Sequence, residues 1–148
     1  MVIELFKLKA QGKIESDFSF TFEPKKELLG IPGASFGKAA VIKGKTEIYP
    51  DKAFLVGTLC FDIVGECSRC LSPASAKITV DFDEEFRPAP CDKDVFTYEK
   101  GVIDLDRFVD QLILTNLPYV ILCKEDCKGL CPVCGKNLNE GECGHNLN

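Results

Sequence analysis

The sequence predicts an α+β fold that is mainly β: an antiparallel sheet or partly open barrel covered by one amphipathic helix, with a short cysteine-rich knuckle at its C-terminal end. Three observations predict it. Apolar residues recur with a period of two through much of the chain up to Phe86. One stretch alone, over 104–117, recurs at helical spacing. Five of the nine cysteines crowd into the last 26 residues. A chain of 148 residues is then expected to form a β-rich domain over 1–118 and a cysteine-rich tail over 119–148.

The strands come first. Asp17-Phe18-Ser19-Phe20-Thr21-Phe22-Glu23 alternates strictly, so its three phenylalanines share one face. Residues 39–49 and 54–64 are rich in β-branched and aromatic side chains. Tyr49-Pro50-Asp51-Lys52 between them is a turn signal, and the two are expected to pair as a hairpin. The second is apolar on both faces, as a central strand would be. Ile78, Val80, Phe82 and Phe86 alternate with Thr79, Asp81, Asp83 and Glu85, a strand with one wet and strongly acidic face. Leu29-Gly30-Ile31-Pro32-Gly33-Ala34 and Arg87-Pro88-Ala89-Pro90-Cys91-Asp92 read as breaks.

The helix follows. Leu105, Phe108, Val109, Leu112 and Ile113 form an apolar stripe suited to covering a sheet. Asp104 can cap it, Asp106 suits the positive end of its dipole, and Leu117-Pro118 ends it.

Charge narrows the function. The net charge is −5, a poor starting point for a stand-alone nucleic-acid binder, whose affinity rests on phosphate neutralisation. Residues 1–52 hold nine lysines against seven acids, whereas residues 53–148 hold nine basic and sixteen acidic residues. No apolar run approaches the roughly 20 residues that span a bilayer. The opening Met1-Val2-Ile3-Glu4-Leu5-Phe6-Lys7 lacks the charged start and small-residue cleavage site of a secretory leader. A reducing compartment and free thiols are therefore expected. An odd number of cysteines also forbids full pairing within one chain.

Cys123, Cys127, Cys131, Cys134 and Cys143 follow C-x3-C-x3-C-x2-C-x8-C. Thiolates at such spacing can give one tetrahedral zinc four soft ligands. The tail has few apolar residues, chiefly Leu122, Leu130, Val133 and Leu138, so a bound metal would supply the folding energy that burial cannot. Cys131-Pro132-Val133-Cys134-Gly135 reads as a zinc knuckle, with Gly135 free to take positive φ. The second ligand pair comes from Cys123, Cys127 and Cys143, with His145, the only histidine, in reserve.

Cys67-Ser68-Arg69-Cys70-Leu71 is a separate CxxC. It could complete a zinc site with tail cysteines, serve as a redox dithiol, or form a structural turn that exposes Arg69 for binding. Cys60, within a strand, and Cys91, within a Pro-rich loop, read as unligated. No nucleophile, base and oxyanion donors come together as a catalytic set, and no glycine-rich phosphate loop appears.

The order of these parts resembles the YceD family, bacterial proteins implicated in accumulation of the large-subunit ribosomal RNA. The resemblance is strong over the second half of the chain and confined to layout in the first. CKGLCPVCGKNLN in the tail is its most specific part. The CxRCL element, here Cys67, Arg69, Cys70 and Leu71, is the other hallmark. Cys123, Cys127, Cys131, Cys134 and Cys143 match the metal-type tail, which some relatives lack. Many relatives carry a second cysteine or histidine where this tail ends in Cys143-Gly144-His145. The resemblance implies a cytoplasmic, non-enzymatic role in 23S rRNA stability or large-subunit assembly. The implied partner is the large-subunit precursor, met through rRNA or a ribosomal protein, with no membrane and no small-molecule substrate. A thiol redox protein or sensor using Cys67 and Cys70 is the alternative, with Arg69 favouring the thiolate.

Overall fold

The computed structural model describes residues 1–145. The fold is mainly β, with one principal helix. Strands β1 (Val2–Glu4), β2 (Glu15–Phe22), β3 (Ser35–Phe36), β4 (Ala40–Ile48), β5 (Ala53–Glu66), β6 (Pro73–Pro88), β7 (Phe96–Tyr98) and β8 (Val102–Asp104) are joined by helices α1 (Leu5–Ala10) and α2 (Asp106–Asn116). The main sheet runs β2-β4-β5-β6-β7, with β3 lying beyond β4 on the same long strand β5. It is open rather than closed into a barrel, and β1 and β8 make a separate two-stranded ribbon.

The hairpin expected around Tyr49–Lys52 forms, with Ile48 opposite Ala53. Strand β5 is central, paired on both sides. It continues beyond the expected end to Glu66, because β6 accompanies it from Ala53↔Phe86 to Glu66↔Pro73. Strand β7 adds to β6 in parallel at Phe86↔Phe96, so the sheet is mixed rather than wholly antiparallel. The acidic face of β6 is wet as its alternation requires: Asp81 and Asp83 are exposed, and Thr58 donates to Asp81 at 3.0 Å.

One cross-strand pair fixes the close approach of β4 and β5. Gly44 faces Gly57. A Cβ on Gly44 would sit 2.2 Å from the Val56 carbonyl oxygen, and one on Gly57 would sit 2.2 Å from that of Lys43. Only glycine fits at either position.

The core lies between the sheet and α2. Phe108, Val109 and Ile113 on the helix are buried. Phe108 is the hub of an aromatic cluster, with ring centroids 5.2 Å from Phe82, 5.3 Å from Phe86 and 5.0 Å from Phe96, all edge-on. The helix starts at Asp106 rather than Asp104, because residues 102–104 are held as strand against Val2–Glu4. Asp104 still accepts the Asp106 N–H, at 2.9 Å, and the N-terminal ammonium pairs with Asp106 at 2.8 Å. No helix among the described residues is long and apolar enough to cross a membrane.

Candidate metal centres

The turn between β5 and β6 is the Cys67–Ser72 segment, so the CxxC motif caps the longest hairpin of the sheet. The segment after α2 returns to this tip. Ile121 is buried, and its carbonyl accepts from the Ser68 N–H at 2.8 Å and from the Ser68 hydroxyl at 3.0 Å. Arg69, exposed at the tip, reaches over to donate to the Cys127 carbonyl at 3.0 Å. At Gly129 the tail backbone passes so close that a Cβ would lie 3.3 Å from the Arg69 carbonyl oxygen.

These contacts gather Cys67, Cys70, Cys123 and Cys127 into one group, their sulfurs all within 4.8 Å of one another. Cys67 and Cys127 approach to 3.6 Å, as do Cys70 and Cys123. A second group holds Cys131, Cys134, Cys143 and His145 under the same limit. The His145 Nδ1 atom is 3.2 Å from the Cys143 sulfur and 3.7 Å from that of Cys131. None of the nine cysteines is disulfide-bonded. Both groups are positioned to hold a metal ion.

The two CxxC turns share one hydrogen-bond frame. The Leu71 N–H donates to the Cys67 carbonyl at 2.9 Å, and the Cys67 N–H to the Ser72 carbonyl at 2.8 Å. The Gly135 N–H donates to the Cys131 carbonyl at 2.8 Å, and the Cys131 N–H to the Lys136 carbonyl at 2.8 Å. The residue after the second cysteine is left-handed in both, with φ +76° at Gly135 and +63° at Leu71. Leu71 therefore occupies a position that suits glycine, and its side chain is 57 % exposed.

The frame also sets the acidity of the thiols. The Cys70 backbone N–H, aimed at the Cys67 sulfur, is the main cause that draws that thiol down to about 6. The Cys134 N–H does the same for Cys131, also to about 6. The Ser72 hydroxyl lowers Cys70. Cys123 is exposed as a residue, but its sulfur faces the other three thiols. Lost solvation and then its neighbours' thiols push it up to about 12. Four thiols this close cannot all ionise by themselves, since like charges oppose one another. A cation is what would let them do so, and sulfur with one imidazole is the donor set that soft or borderline divalent ions take.

The five tail cysteines thus do not converge on a single ion. Cys123 and Cys127 join Cys67 and Cys70, while Cys131, Cys134 and Cys143 join His145. Cys67 and Cys70 are not a stand-alone dithiol, because each faces a tail sulfur. Cys60 and Cys91 lie outside both groups. Asn139, which no spacing pattern singled out, donates its side-chain N–H to the Cys127 sulfur at 3.3 Å.

Residues 55–147 match the family described as "Large ribosomal RNA subunit accumulation protein YceD", a span that contains every residue of both groups. An uncharacterized protein of Mycobacterium bovis and one of Mycobacterium tuberculosis are each 34 % identical to the chain over 108 residues, covering 68 % of it and 52 % of the relative. An uncharacterized protein of Mycobacterium leprae is 29 % identical over 101 residues, covering 64 % and 46 %. The chain spans about half the length of the curated relatives it matches. No solved structure matches it.

Proposed function

Since the chain belongs to the YceD family, we propose that it is a non-enzymatic factor in accumulation of the large-subunit ribosomal RNA, acting in the bacterial cytoplasm on the large-subunit precursor. The observation that carries this reading is the family match over residues 55–147, which takes in the hairpin tip, α2 and the whole cysteine-rich segment. The ion in each group is zinc. Cys67, Cys70, Cys123 and Cys127 hold one, and Cys131, Cys134, Cys143 and His145 hold the other. Four protein donors leave zinc no open position for water or substrate, which suits a structural role. Bound zinc neutralises the clustered thiolates and ties the tail to the hairpin tip.

The contact surface we favour is that tip. Arg69 is exposed there, and its guanidinium uses one N–H on the Cys127 carbonyl, leaving further donors for a phosphate or carboxylate. Leu71 beside it presents a large apolar side chain from a left-handed backbone. The net charge of −5 favours a basic ribosomal protein, or rRNA reached together with one, over naked RNA.

The test is crosslinking of the tagged protein in cells, with bound RNA and protein identified across a sedimentation gradient. Recovery of 23S precursor RNA or large-subunit proteins, lost in an Arg69→Ala variant that keeps its metal, is expected. Absence from all ribosomal fractions, with 23S rRNA levels unchanged when the gene is deleted, would overturn the proposal. The redox alternative requires a reversible Cys67–Cys70 disulfide, and full metal occupancy at those sulfurs would exclude it.

A further inference from the structure

One side chain from the loop of the second group, Asn139, reaches a sulfur of the first. Cys127 belongs to the first group and Cys131 to the second, with only Lys128, Gly129 and Leu130 between them. The loop from Gly135 to Glu142, whose ends are fixed by Cys134 and Cys143 of the second group, folds back toward the first. The Leu138 N–H donates to the Gly129 carbonyl at 2.9 Å, and Leu130 and Asn137 form a bridge. This places a short 3-10 turn, Leu138–Glu140, against the first group.

Every polar hydrogen-bonding group of the Asn139 amide is used there. Its oxygen accepts the Lys128 backbone N–H at 2.9 Å. Its nitrogen donates to Asn137 Oδ1 at 2.9 Å and to the Cys127 sulfur at 3.3 Å. Because the oxygen is claimed by a backbone donor, the nitrogen must face the sulfur. Asn137 in turn accepts the Asn139 N–H at 3.0 Å and donates to the Ser72 hydroxyl, at 3.4 Å, on the first knuckle. Asn139, which reaches the Cys127 sulfur from the second loop, and Asn137, which braces it, are thus held in place by the closure of that loop.

We infer that Asn139 is an outer-shell partner of the first metal group and couples the two groups, so that filling the second raises the affinity of the first. This rests on the two-metal reading above. An N–H aimed at a coordinating sulfur favours the thiolate and fixes its direction, and loss of such a partner typically weakens metal binding about 10- to 100-fold. Without an ion in the second group, the ends of residues 135–142 are loose and the Asn139 amide is no longer delivered. Coupling of this kind is reciprocal, so an ion in the first group must strengthen the second by the same factor.

The test is Co2+ titration of the full chain. Four-sulfur and three-sulfur-one-nitrogen sites give distinct visible absorption, so each group is followed separately. Zn2+ competition then gives the two affinities. Asn139→Ala is expected to weaken the four-cysteine group about 10-fold while leaving the other group's spectrum intact. Asn139→Asp, which keeps the acceptor for Lys128 and removes the N–H to sulfur, is expected to weaken it as well. His145→Ala is expected to weaken the four-cysteine group too, and the double variant His145→Ala/Asn139→Ala should lose no more than the worse single one. Unchanged affinity in Asn139→Ala, or losses that simply add, would overturn the coupling and leave the two-metal reading standing. Failure of the wild-type chain to bind Co2+ or Zn2+ at either group would overturn both.

Discussion

Cys67 and Cys127 stand 60 positions apart in the chain, yet their sulfurs lie 3.6 Å from each other. The pair joins the tip of the β5–β6 hairpin to the segment that follows α2. Four residues from two distant parts of the chain thereby come together in one group, and a metal held there would become part of how the fold is closed.

Metal content is the first consequence. Protein purified under reducing conditions is expected to carry two zinc ions per chain by elemental analysis. A single ion would mean that one of the two groups is not a site. A chelator strong enough to strip both should leave the β-sheet signal in circular dichroism largely intact, because the core between the sheet and α2 contains none of the ligands.

The two groups differ in what they hold. Cys131→Ser or Cys134→Ser should open the segment from Lys128 onward to protease while the sheet stays resistant, since among its described residues that segment buries only Gly129 and Cys131. Cys67→Ser or Cys70→Ser should free the stretch from Tyr119 to Cys127 as well, because that stretch is tied to the hairpin tip. Equal digestion patterns for the two kinds of variant would contradict this division.

Acid should release the metal, with a slope that changes near pH 6. Cys67 and Cys131, at about 6, are already thiolates at neutral pH, so binding releases no proton from them there. Cys123, at about 12, gives up a proton on binding throughout the neutral range. Affinity therefore falls as pH falls, and falls more steeply below about 6, where the two depressed thiols protonate too. Competition titrations with a chromophoric chelator between pH 5 and 8 would read this directly. An affinity independent of pH would refute the thiolate assignment.

Leu71→Gly should keep both metals and raise the melting temperature slightly. The left-handed conformation costs a residue with a Cβ about 1 kcal/mol, and glycine escapes it. The 57 % exposed side chain gives up little packing in return. If Leu71 is retained for partner contact, the same variant should lose ribosomal co-sedimentation. A clear drop in melting temperature would show instead that the side chain packs.

The core makes a complementary prediction. Phe108→Ala removes the ring shared by three aromatic contacts and should cost about 3–5 kcal/mol in denaturant unfolding. Gly44→Ala should cost about 1–3 kcal/mol or more by forcing β4 and β5 apart. If either variant unfolds at the wild-type midpoint, the helix–sheet packing or the glycine contact is wrong.

Much of this fold was legible because it depends on short-range pattern. Alternation of Phe18, Phe20 and Phe22 and of Ile78, Val80 and Phe82 marks strands, since side chains on a strand point to opposite faces in turn. The stripe from Leu105 to Ile113 marks a helix for the equivalent reason. Gly135 was legible as the left-handed residue of its knuckle, and the structure gives it φ +76°. The short ribbon of Val2–Glu4 with Val102–Asp104 was not legible. Three-residue strands have too few positions to show a period, and what holds them is a partner 100 positions away.

The sequence by itself determined that this chain is mainly β with one covering helix, that its cysteines are spaced as metal ligands, and that it carries two CxxC turns. Tertiary structure alone decided how those cysteines are divided. Spacing along the chain suggested one ion within the tail, because near neighbours are the cheapest to bring together. The hairpin of β5 and β6 already holds Cys67 and Cys70 at a rigid tip, and the path of α2 delivers Cys123 and Cys127 there without further loop closure. That leaves Cys131, Cys134 and Cys143 to complete their set with His145.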